Sequence, residues 1–166
     1  MPEGVLAAQL FPALFDRTWL DVALELGTSS HVARWACANR WMASAIEALH
    51  GKSFEEPVER PWACAFDRAE ARAQLQNPDM MLNDWVADVI WNLEWTERGD
   101  FAHARAELTT RIAIARWIAA RLAHRGHRID RAMAEAISIV EIVGLSETWE
   151  TSITGRLTCP SSSPHE

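Results

Sequence analysis

Tyrosine is absent from this 166-residue chain, although tryptophan occurs nine times and phenylalanine five. Where the indoles fall is therefore its most informative aromatic signal. Cysteine is sparse and odd in number (Cys37, Cys64 and Cys159), with no CxxC or other ligand spacing. Neither a disulfide framework nor a zinc site is expected, and a reducing cytoplasm is the simplest location. No apolar run reaches spanning length without a charge: 112-IAIARWIAARLA-123 is broken by Arg116 and Arg121. The first residues, 1-MPEGVLAAQLFPALFDRTW-19, lack a basic region before their apolar run, so no signal peptide is expected. Also missing are a Gly-rich phosphate loop, a GxSxG elbow and an HExxH pair. These absences predict a soluble, non-enzymatic protein without a cofactor.

What is present is globular composition, 49% hydrophobic and 23% charged, on a chain long enough to bury roughly 70% of its unfolded surface. The net charge of −7 is unevenly spread. Residues 1–104 carry −8, residues 105–131 carry +5, and residues 132–166 carry −4. An acidic whole repels phosphate backbones, so nucleic-acid binding would have to rest on 105–131.

The punctuation is helical throughout. Asp16 and Gly27 bracket one segment, and Ser29 or Ser30 opens the next, which runs to Leu49 before Gly51. Residues 51–66 hold Pro57 and Pro61 and read as a loop. Asp67 is placed to cap a helix over 68–76, and a further helix spans about 80–98 to Gly99. Asp100 caps 101–125 before Gly126, and Asp130 opens 131–143 before Gly144. Strand signals are nearly lacking, while alanine is abundant. The expected architecture is all-α: a single-domain bundle of six to seven helices over 1–154, with a frayed tail at 155–166.

The stretch 24-LELGTSSHVARW-35 resembles a helix-turn-helix, with Arg34 and Trp35 on the second helix. Its branched residue, Val32, falls five positions after Gly27 rather than six, a slip of about 100° around the axis. Asp21 and Glu25 on the first helix would meet phosphates unfavourably. An αα-hairpin is the better reading. That second helix shows a broad stripe of Val32, Trp35, Ala36, Met42, Ile46 and Leu49, with Trp41 off it.

The indoles give the sharper signal. Leu82, Trp85, Val86, Val89, Ile90 and Leu93 share one face at helical spacing, the expected core face. Asp84, Asp88, Trp91 and Trp95 lie roughly opposite. In the following helix Phe101, Ala104, Leu108, Ile112, Ala115, Ile118, Ala119 and Leu122 form the main stripe. Ala106, Ala113, Trp117 and Ala120 form a second. Two readings follow. Either these helices are central and covered on both sides within the chain, or Asp84, Asp88, Trp91, Trp95 and Trp117 contact a partner.

Two carboxylate-x-x-His pairs occur, Glu47/His50 and Asp100/His103, both at helix ends where capping explains them. His50, His124 and His127 form an alternative metal-binding set, but Gly126 separates the last two, and no metal is expected. Arg34, Arg121, Arg125 and Arg128 are the candidate contacts for an anion or nucleic acid. Glu135, Glu141, Glu147 and Glu150 stand near enough in sequence to pair with the basic segment internally. The reading that follows is a protein-binding module: a regulator, inhibitor or complex subunit working through Trp-bearing faces. Its partner is another protein or a second copy, and a sharper form occupies a partner's basic groove. Nucleic-acid binding is one alternative, and a metal-binding helical bundle using His50, His124 and His127 is another.

Overall fold

The computed structural model describes residues 18–19, 21–22, 25, 32–51, 60–92, 96, 100–144 and 149–151. Among them are five complete helices and no strand: α1 (Val32–Leu49), α2 (Ala63–Glu70), α3 (Pro78–Trp91), α4 (Phe101–His124) and α5 (Ile129–Gly144). Helical residues also stand at 18–19, 21–22, 25 and 149–151. The expected all-α class is what the chain adopts. No described helix is long and apolar enough to cross a membrane.

The bundle is organised around α5, which touches each of the other four helices. Ala132, Ala136, Ile139, Val140 and Val143 are buried on one face of it, and Ala134 and Ile137 are buried on the other. A helix buried on more than one side belongs in the middle, and its alanines let neighbours approach closely. Against it α4 lays Ile114, Ile118 and Leu122, each fully buried and contributing about 1.5–3 kcal/mol. The two-sided helix at the centre is therefore α5, not the helices singled out by their indoles.

Boundaries follow local chemistry. Asn77 caps α3, its Oδ1 accepting from the backbone N–H groups of Asp79 and Met80 at 3.0 and 3.4 Å, with Pro78 in the first turn. That helix ends at Trp91 with Asn92 as C-cap, short of the expected 98. Asp100 caps α4 as expected, accepting from the His103 N–H at 2.7 Å. Gly126 follows α4 with φ of +91°, the left-handed conformation that glycine adopts without penalty.

Four expectations need correction. Asp67 caps nothing; it lies inside α2, which starts at Ala63 because Trp62, Ala65, Phe66 and Ala69 recur at helical spacing and bury together. Pro57 and Pro61 had suggested a loop through 66, but a proline just ahead of a helix start is tolerated. On α1 the inward face is Ala38, Trp41, Met42 and Ala45; Trp41 is fully buried, whereas Trp35 is 42% exposed. On α4 the exposed Phe101 leaves the core stripe, and Glu107 and Arg111 enter it. On α3 Ile90 lies outside the core and Met81 inside. The turn at 26–31, the expected cap Asp16, Leu93, Trp95, Gly99 and the 155–166 tail lie outside the described residues.

Candidate partner-binding face

Charge placement decides which surfaces are available. Three buried indoles donate to three glutamates: Trp62 Nε1 to Glu135 at 2.7 Å, Trp149 Nε1 to Glu107 at 2.9 Å and Trp85 Nε1 to Glu141 at 2.9 Å. Each glutamate also meets an arginine. Arg60 Nη1 lies 2.8 Å from Glu135, with Arg131 on its other oxygen at 3.6 Å. Arg111 pairs with Glu107 at 3.0 Å and with Glu141 at 3.8 Å. Burying these groups is tolerable because nearly every acceptor faces a charged or N–H donor.

Arg111 has a second task. Its Nη2 donates to the Gly144 carbonyl at 2.8 Å, putting a cation on the C-terminus of α5 where the helix dipole is negative. The guanidinium also stacks 5.7 Å from the Trp149 ring centroid.

Part of the arginine-rich segment is folded inward, while Arg105, Arg116 and Arg125 are exposed. Arg128 donates to Asp130 through Nε and Nη2 at 2.6 and 2.8 Å and to the Ala73 carbonyl at 3.1 Å. The hydrogen bond to Asp130 raises its pKa further. Asp130 is itself fully buried and accepts from the Gln76 N–H at 3.1 Å, which ties the α2–α3 connection to the start of α5. Arg125 and Arg60 both lie over the Trp41 ring, at 5.8 and 5.9 Å. Arg34 and Arg121 are half-buried. The proposed anion contacts Arg34, Arg121, Arg125 and Arg128 thus form no common open cradle among the described residues.

Metal chemistry fares similarly. His50, His124 and His127 do not converge; the described group whose ligand atoms fall within 4.8 Å of one another is Asp67, Glu70 and His127. Arg131 stands among these three. Its guanidinium is 2.8 Å from Asp67 and 3.6 Å from Glu70, and its Nη1 contacts His127 Nδ1. A metal ion here would have to expel a buried guanidinium from its counter-charges. The donor set is better described as a cage for Arg131.

His127 is held neutral. Burial is the main cause of its lowered pKa, followed by the Arg131 and Arg60 charges; Asp67 and Glu70 oppose them. Arg60 Nη2 lies 2.9 Å from its Nε2. Because the folded pKa is below the ordinary 6.5, the unfolded chain takes up the proton first. This stability is fully present above 6.5 and is lost as pH falls through the lowered value. Thermal melts from neutral to mildly acidic pH should show a falling midpoint, and His127→Gln should flatten that part of the curve.

The expected contact residues on α3 remain. Trp91 is 74% exposed, with Ile90 at 48% and Met80 at 52% on the side turned away from Met81, Leu82 and Trp85. Met80, Asp84, Ala87 and Trp91 follow one another at i, i+4, i+7 and i+11, so they share a face. Asp88 flanks it and accepts from Asn92 Nδ2 at 3.3 Å; both aspartates are half-buried. Trp117 is partly buried and packs against the core. Of the expected contact set, then, Asp84, Asp88 and Trp91 are brought together, Trp117 belongs with the interior, and Trp95 lies outside the described residues. Met80 and Ile90 are also exposed on this helix, although the apolar periodicity places Ile90 on the core stripe. Comparison with family models, curated proteins and solved structures found no match to this chain.

Proposed function

We propose that this protein is a non-enzymatic protein-binding module, a regulator, inhibitor or subunit of a larger complex, that engages its partner through the outer face of α3. The observation that carries the reading is Trp91, a large indole left 74% exposed next to Ile90, with Met80 exposed further along the same helix, whereas five other described tryptophans are buried. An exposed indole with Ile90 next to it and the carboxylates of Asp84 and Asp88 along the same helix have the composition of an interaction hot spot with a polar rim. The acidic balance of residues 1–104 favours a partner with a basic surface or groove, and electrostatics there would speed and orient docking. Cys37 and Cys64 are free thiols, Cys64 exposed, which agrees with action in a reducing cytoplasm.

The test is Trp91→Ala. Since the side chain contributes little to the core, folding stability should change by no more than about 0.5 kcal/mol. Binding to the protein that co-purifies with the wild-type chain from its native cell, identified by mass spectrometry, should weaken roughly 30-fold or more. A partner bound equally well by the variant would move the interface elsewhere.

A further inference from the structure

The exposed side of α4 is the chemical counterpart of the outer face of α3. Arg105, Thr109, Ala113, Arg116 and Ala120 are all exposed and recur at helical spacing, giving a ridge with two guanidiniums and only small side chains between them. No acidic residue lies among them. Among the described residues, Arg105, Arg116 and Asp84 take part in no ion pair, although the arginines at 111, 128 and 131 are all paired. One molecule therefore carries an acidic, aromatic face and a basic, small-residue face on consecutive helices that touch each other.

We infer that the partner of the α3 face is a second copy of this chain, α3 of each protomer packing on α4 of the other about a two-fold axis. This rests on the reading of α3 as a docking face and adds the identity of its occupant. The arrangement closes on itself, because both complementary faces are satisfied twice and no free copy of either is left to extend a filament. Ala113 and Ala120 leave room for the Trp91 indole. With Trp91 over Ala113 of the partner, Asp84 lies about 10 Å further along α3 and Arg105 about 12 Å along α4, within reach of each other. Nucleic acid fits the basic ridge less well, since the acidic remainder of the chain would face the phosphates.

Sedimentation velocity on the full chain over a wide concentration range tests this. The wild type should shift from monomer to dimer, and Trp91→Ala should weaken the dimer roughly 30-fold or more. Asp84→Arg and Arg105→Glu should each yield monomers, since each sets like charges against each other at both symmetric contacts. Mixed in equal amounts, those two variants should form a heterodimer, because one contact is then native and the other charge-swapped. A misfolded variant cannot produce that rescue. A wild type that stays monomeric, a dimer indifferent to Trp91→Ala, or a mixture that fails to associate overturns the inference. If the chain is monomeric yet Trp91-dependent binding of a different protein persists, self-pairing is wrong and the module reading stands. Binding of short duplex DNA abolished by Arg105→Glu and Arg116→Glu, with no dimer, also overturns it.

Discussion

Glu135→Ala is expected to lower folding stability by about 3–5 kcal/mol, a large share of what a domain of this size possesses. Glu135 is fully buried in the middle of α5, where it accepts from Arg60 Nη1 at 2.8 Å and Trp62 Nε1 at 2.7 Å and forms an ion pair with Arg131 at 3.6 Å. Alanine removes the anion and leaves the donors behind. Arg131 keeps Asp67 and Glu70, but Trp62 loses its acceptor in a site closed to water. The loss is dominated by stranded polar groups rather than by the missing attraction. Glu135→Gln, which retains the volume and one carbonyl oxygen, should fall between wild type and alanine. Urea unfolding followed by circular dichroism measures both. A change below about 1 kcal/mol for alanine would mean that water or another side chain takes over the carboxylate's place.

Gly144→Ala should cost about 1–3 kcal/mol, although it adds a single methyl group. A Cβ at 144 would stand 2.7 Å from Arg111 Cζ and 2.8 Å from its Nη2. An exposed arginine would swing aside. Arg111 is only 4% exposed and is held by Glu107, by the Gly144 carbonyl and by stacking on Trp149. Moving it loosens three attachments at once and uncovers the C-terminus of α5. The diagnostic comparison is the double variant Gly144→Ala with Arg111→Ala in a thermodynamic cycle. Non-additivity of more than about 0.5 kcal/mol is expected, because both changes disrupt one contact. Additive effects would place the cost of the methyl group elsewhere.

The helices at 101–124 and 129–144 were legible in the sequence because their boundaries are chemical: Asp100 before the first, Gly126 between them, Gly144 closing the second. Face assignment was less secure where charge is buried. Glu107 and Arg111 are four apart, as are Arg131 and Glu135, and such pairs read equally well as solvated helix surface. Only the three-dimensional neighbours, Trp149 for one pair and Arg60 with Trp62 for the other, turn them into interior structure. The same ambiguity hid the true inward face of α1. Large residues at 35, 46 and 49 define the apparent stripe, whereas the buried face consists of Ala38 and Ala45 with Trp41. On α3, Asp84, Asp88 and Trp91 were legible as a face because they lie opposite the main apolar stripe. No periodicity argument could show whether another helix covered that side.

The outer face of α3 is the proposed meeting place with another chain. Photo-crosslinking reads that most directly: a benzophenone side chain installed at position 91, irradiated in the native cell, with the same group at the exposed Glu47 position of α1 as reference. A discrete adduct from position 91, to a second copy or to one other protein, that is absent from position 47 is the expected result. Labelling at 91 that matches the reference, or yields only a diffuse background, would contradict it.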